Sequence, residues 1–287
     1  MRLPLILFLG LLPAPLHSQG PASFKKPFRF IDSIPAPESV AVGPDGAWYV
    51  SSFGKFGNGS DGAVYRVDPD KGTREIFADG LEDPCGVLFV GATLWVADRK
   101  GVYRVTRGKI ELAYPEASFP RKLHFLNDLA ARADGTMYVS DTGDSTAAGR
   151  GAIFVLRPGR RPSVLPGSDT VRAQSSANGL FPGSGDTVYA VGYRTGVLSV
   201  TDGHGSWREI ARGLGSPDGI DAAEGSAFYV SDNVGGKLLL VPRTSGGHTV
   251  TLAAGLKAPA DLVVDRRRGW LIVPENDGNR LTVYRRE

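Results

Sequence analysis

The sequence predicts an all-β chain folded as a six-bladed β-propeller of four-stranded antiparallel blades, on three observations. One stretch recurs six times in register, each recurrence brings four strand-like segments, and glycine and proline punctuate the apolar runs throughout. The copies are PESVAVGPDGAWYVSS from Pro37, PCGVLFVGATLWVAD from Pro84, LNDLAARADGTMYVSD from Leu126, ANGLFPGSGDTVYAVG from Ala177, PDGIDAAEGSAFYVSD from Pro217 and PADLVVDRRRGWLIVPE from Pro259. Their starts lie 47, 42, 51, 40 and 42 residues apart, the length of one propeller blade.

Within a copy the elements follow in order. A short first strand meets a turn at Gly46, Gly91, Gly135, Gly185, Gly225 or Gly269, and a second strand of alternating apolar character leaves it. A third strand follows as AVYRV, GVYRV, AIFVL, GVLSV, KLLLV and RLTVY. A fourth, REIFADGL, KIELAYP, PSVLPG, WREIARGL or HTVTLAAGL, comes before copies two to six. The sixth copy ends after its third strand, and FRFIDSI (28–34) precedes the first copy. That N-terminal strand is therefore expected to complete the last blade and close the ring, which protects edges an open array would expose. A β-sandwich accounts for regular strands but not for six copies in one register.

The 287 residues suffice for one domain of this kind. Basic and acidic residues, 33 against 30, are spread without clusters, which leaves no electrostatic footprint for nucleic acid. The first stretch, MRLPLILFLGLLPAPLHSQG, pairs an early Arg with an apolar run too short and proline-broken to span a bilayer. We expect residues 1–18 to be a signal peptide, residues 19–287 to be the propeller, and the mature protein to be periplasmic or extracellular, with no membrane span and monomeric. Cys85, the only cysteine, has no internal disulfide partner.

The innermost strands of a propeller line a central channel, so one register position recurs around its axis. The second residue of each copy is Glu38, Cys85, Asn127, Asn178, Asp218 and Ala260. Four of the six carry side-chain oxygen, although Pro217-Asp218-Gly219 taken alone would be a turn. Two carboxylates and two amide carbonyls brought to one end of a channel form a hard-oxygen metal site suited to Ca2+, with Mg2+ or Mn2+ as alternatives. Asp218 is the candidate catalytic residue, as base or nucleophile. Asp128 and Asp261, next in their copies, and His124 are candidates for supporting the ligands or touching substrate. His204 and His248 read as turn residues, Cys85 as a small inert lining residue, and Asp98, Asp141 and Asp232 at second-strand ends as backbone-bonding groups.

Four insertions, from Phe53, Tyr114, Thr142 and Pro166, distinguish the copies. The second and fourth run into Asn127 and Asn178 and are expected to wall the metal end. No Gly-x-Ser-x-Gly, His-Glu-x-x-His or paired-Cys motif supports a serine-hydrolase, zincin or redox reading.

On Leu126-Asn127-Asp128 with its following RADGTMYVSD, Ala177-Asn178-Gly179-Leu180 and Pro217-Asp218-Gly219-Ile220, the chain resembles the senescence marker protein, gluconolactonase and luciferin-regenerating enzyme family of six-bladed propellers. The resemblance covers essentially the whole mature chain. It implies one catalytic divalent ion, usually calcium, held by Glu38, Asn127, Asn178 and Asp218, and hydrolysis of lactones or organophosphate esters. Many members follow the first-blade Glu with Gly-Pro, where this chain has Ser39-Val40, which leaves long-chain and sugar lactones equally open. The alternative function is a non-catalytic binding propeller with a structural ion.

Overall fold

The computed structural model describes residues 26–99, 101–143, 151–171 and 175–285. The expected signal peptide lies outside them. The strands form six four-stranded antiparallel sheets. In blade 1 they are Pro37–Val42, Trp48–Ser52, Gly62–Val67 and Arg74–Leu81, and blades 2 to 5 repeat this order. The first strand of each sheet touches the first strand of the next, and that of blade 6 touches that of blade 1. A closed ring with these six strands innermost is the expected β-propeller.

Closure is made by the N-terminus. Blade 6 takes Val263–Asp265, Trp270–Glu275 and Arg280–Arg285 from the end of the chain, and Arg29–Asp32 as its outermost strand. Arg29 pairs with Val283 and Asp32 with Arg280, so no first-to-last seam is left open.

The six hairpin glycines named from the sequence all sit at positive φ, a region a Cβ would strain. Strand alternation then divides each blade's side chains between its two neighbours. In blade 1, Trp48 and Val50 pack with Ile272, Leu281 and Val283 of blade 6, while Tyr49 between them packs with Val87 and Leu94 of blade 2. The core is therefore a set of layers between blades. Burial of a side chain such as Val50 contributes about 1.5–3 kcal/mol.

In blades 2, 3 and 5 carboxylates at the ends of second strands hold the chain that leads into the inner strand. Asp98 accepts from the Glu82 and Asp83 amides, Asp141 from those of His124 and Phe125, and Asp232 from Ser216. The backbone-bonding role read for these three residues is the observed one. Glu275 does the same for Lys257 in blade 6, at 2.6 Å. These bonds set the positions from which the channel-end residues project.

Candidate metal centre

The inner strands of blades 1, 3, 4 and 5 share an irregularity near their start. In blade 1, Pro37 pairs with Ser52 and Val40 with Val50, so Glu38 and Ser39 together oppose only Ser51. The same bulge falls at Leu126/Leu129, Ala177/Leu180 and Pro217/Ile220. It turns the second strand residue out of the ladder, and that residue is Glu38, Asn127, Asn178 or Asp218. Blades 2 and 6, with Cys85 and Ala260 at this position, begin their inner strands later, at Val87 and Val263.

Amides freed by the bulges find serine hydroxyls on the second strands. Ser39 N–H donates to Ser51 Oγ, Asp128 N–H to Ser140 Oγ and Gly219 N–H to Ser231 Oγ, at 2.9, 2.9 and 2.8 Å. Neighbouring inner strands are joined at the same level: the Gly86 amide donates to the Asn127 carbonyl, and that of Asp261 to the Glu38 carbonyl. Two glycines permit this approach, since a Cβ on Gly179 would stand 2.2 Å from the Asp218 carbonyl oxygen and one on Gly219 2.5 Å from the Leu262 nitrogen.

The four named side chains are all buried and line one cavity of about 230 Å³. Among the described residues, six buried side-chain polar atoms lack a hydrogen-bond partner, and four of them are Glu38 Oε2, Asn127 Oδ1, Asn178 Oδ1 and Asp218 Oδ1. Each unsatisfied buried acceptor costs about 1–3 kcal/mol, so the four together cost about 4–12 kcal/mol. That is the scale of a whole domain's net stability, about 5–15 kcal/mol. Four acceptors with no donor among them fit a cation. The donors are all hard oxygen, which suits Ca2+ and gives no place to a metal that prefers thiolate or imidazole. No group of three or more His, Cys, Asp or Glu side chains placed to hold a metal occurs among the described residues; this set has two carboxylates and completes itself with amides.

Electrostatics agree with the donor count. Burial, then the charges of Asp218, Asp261 and Asp128, hold the Glu38 carboxyl well above its ordinary range. Burial and Asp261 push Asp218 up to about 8, against a lowering hydrogen bond from Asn178. Burial also drives the Cys85 thiol well up, with the Glu38 charge adding to it, so the thiol stays protonated; Cys85 is fully buried and is not among the residues lining the cavity.

Asp128 and Asp261 are not among the residues lining this cavity. They line a second one, of about 600 Å³, at the turn end of the inner strands, with Val42, Pro44 and Arg267. Asp128 accepts from the Leu129 and Leu180 amides at 2.6 Å, and Asp261 accepts from Ser39 Oγ at 2.6 Å. Both therefore tie blades together one residue behind the ligand positions. His124 lies outside the cavity lining, while its neighbour Phe125 is part of it.

Among the described residues, the walls come from other insertions than the sequence indicated. Phe53 and Phe56 of the first insertion and Thr142 and Gly143 of the third line the cavity, joined by Tyr193 and Arg194. Of the second insertion only its successor, Phe125, reaches it. Residues 144–150 and 172–174, in the third and fourth insertions, lie outside the described residues.

A closed ring of six four-stranded blades defines the class, a six-bladed β-propeller, and the oxygen cluster at one channel end is its candidate site. No protein-family model matches the chain, and no curated protein matches its sequence. Solved structures do share its shape. A gluconolactonase from Xanthomonas campestris superposes with a TM-score of 0.69 at 16% identity, over 96% of this chain and 99% of that one. Virginiamycin B lyase from Staphylococcus aureus gives 0.60 at 15% identity, over 85% and 79%, and a streptogramin B lyase 0.59 at 13%, over 91% and 86%. At these identities the likeness concerns the fold, and enzymes of different chemistry share it.

Proposed function

We propose that the protein is a secreted or periplasmic, calcium-dependent hydrolase of lactones or related esters, acting as a monomer on a small-molecule substrate. Four buried, unpartnered oxygens converging from four blades carry this reading. Glu38, Asn127, Asn178 and Asp218 would hold the ion. Calcium accepts six to eight oxygens, so four side chains leave coordination open. A bound divalent cation supplies Lewis-acid polarisation of a substrate carbonyl or phosphoryl oxygen.

The chain's own groups do the rest. Asp218 would carry a proton near neutrality while its pKa stands at about 8, and a positive charge beside it favours the carboxylate. As a carboxylate it takes a proton from water as the water oxygen bonds to the acyl carbon. The ring C–O bond breaks, the proton passes to the leaving alkoxide, and the product is a hydroxy acid. Direct attack by Asp218 on the acyl carbon is the nucleophilic variant. Phe53, Phe56 and Phe125 keep bulk water from one side of the cavity.

The experiment is hydrolysis of a panel of lactones and aryl phosphotriesters by the mature protein, first with chelator, then with calcium, magnesium or manganese restored. We expect activity that vanishes with chelator, returns best with calcium, and falls at least 100-fold in Asp218→Asn. Full turnover by Asp218→Asn would remove that residue from the chemistry. No turnover on any substrate, with calcium still raising the melting temperature, would make this a binding propeller with a structural ion.

A further inference from the structure

Three phenylalanine rings stand over the four-oxygen floor and form one continuous wall. Phe56 meets Phe53 edge-on at 5.4 Å between ring centroids and Phe125 at 5.8 Å. Phe56 is 55% exposed, so the wall runs from the cavity out to solvent. Val234, next to the lining residue Asn233, is 75% exposed. Exposed apolar surface beside a cavity marks where an apolar ligand packs.

Elsewhere in the lining the side chains of Tyr193, Asn233 and Asn276 are already engaged, and Arg194 Nη1 donates to the Thr142 carbonyl at 3.2 Å. Tyr193 Oη donates to Asn233 Oδ1 at 3.0 Å, Asn233 Nδ2 donates to the Pro259 carbonyl at 3.3 Å, and Asn276 Nδ2 to the Pro37 carbonyl at 2.6 Å. A polyhydroxylated ring would set hydroxyls against phenyl faces and compete for groups already bonded. An alkyl or aryl substituent loses nothing there and gains contact. The cavity, about 230 Å³, lies below the roughly 300–1,000 Å³ range of drug-sized sites, so it admits one ring with a short substituent.

Resting on the hydrolase reading above, we infer that the substrate is a compact lactone or ester with an apolar alkyl or aryl substituent that packs on Phe53, Phe56 and Phe125, and not a sugar lactone. The test compares kcat/KM of the calcium-loaded mature protein for δ-octalactone and glucono-δ-lactone, with Phe56→Ser and Phe125→Leu alongside. In parallel, calorimetry measures binding of the non-hydrolysable lactams 6-propylpiperidin-2-one and gluconolactam.

The expected result is about a 100-fold preference for the alkyl lactone, since each methylene of pocket contact is worth roughly tenfold or more. Phe56→Ser should shrink that preference about tenfold, mainly through KM. Equal or greater turnover of the sugar lactone would overturn the inference, as would a Phe56→Ser variant that changes both substrates by the same factor. If neither of these lactones nor any substrate of the panel above is hydrolysed the hydrolase reading fails, and the lactams decide the rest: tighter binding of the propyl lactam upholds the apolar site. Equal binding, tighter gluconolactam, or binding of neither overturns it.

Discussion

A buried carboxylate needs a cation or a proton, and Asp218 shows which one it takes in the metal-free protein. Its folded pKa, about 8, stands above its ordinary value of 3.8 because burial and Asp261 both disfavour the charge. Below 3.8 the residue is protonated in the folded and the unfolded chain alike, and its burial as a neutral acid is tolerated. As pH rises past 3.8 the unfolded form ionises first, so the stability present at low pH is lost progressively up to about 8. Glu38 and Asp128, also raised, act in the same direction. The melting temperature of chelator-treated protein should therefore fall between pH 4 and 8, by the equivalent of several kcal/mol for the cluster. Saturating calcium should flatten the fall, and Asp218→Asn in chelator should lose part of it. A metal-free melting temperature that stayed level or rose across this window would contradict the assignment of these carboxyls as buried and raised by their burial.

The inner strand, rather than any single residue, presents the site. Four copies carry both a bulge and an oxygen-bearing residue within it, and the freed amides are caught by Ser51 and Ser140 on blades 1 and 3 and Ser231 on blade 5. Gly179 tests how tightly this arrangement is held, because a Cβ there would press on the Asp218 carbonyl oxygen, which is backbone and cannot rotate away. Gly179→Ala should destabilise the protein by about 1–3 kcal/mol in urea unfolding, the cost of overpacking. It should also weaken calcium binding about tenfold or more, as the strand bearing Asp218 is displaced. An alanine variant with unchanged unfolding and unchanged calcium affinity would show that the strands are free to separate.

At the scale of the whole ring, one short strand joins the two ends of the chain. Arg29–Asp32 covers the edge of Arg280–Arg285, buries Ile31, and brings Arg29 to the Asp70 carbonyl of blade 1 at 2.8 Å. Phe28 and Phe30 also lie under the guanidinium groups of Arg285 and Arg280, at 4.8 and 4.5 Å. A mature chain beginning at Ser33 should melt about 10 °C lower by calorimetry, since each kcal/mol is worth about 2–4 °C at this size. It should also self-associate through the uncovered edge. Unaltered melting of a monomeric truncated chain would mean that the ring is held by its inter-blade layers alone.

The sequence by itself determined the six copies, their hairpin turns, the N-terminal closure and the four residues Glu38, Asn127, Asn178 and Asp218. Strand alternation and turn chemistry act over a few neighbouring residues, and repetition carries them into register, so these features are written locally. Glu275 escaped because its copy ends in Pro-Glu where the third and fifth end in Ser-Asp and the second in Ala-Asp, although it bonds the backbone as those aspartates do. The serines of those same YVSS and YVSD stretches were a visible signal for the bulges, but their partners are amides about 12 residues upstream that only pairing brings close. Only the tertiary structure decided that Asp128 and Asp261 face the far cavity and that Phe53 and Phe56 of the first insertion wall the near one. The physical reason is the same in each case. Which side of an inner strand a residue faces, and which blade a loop leans toward, follow from ring closure and a one-residue bulge, and neither is a property of any local stretch of the chain.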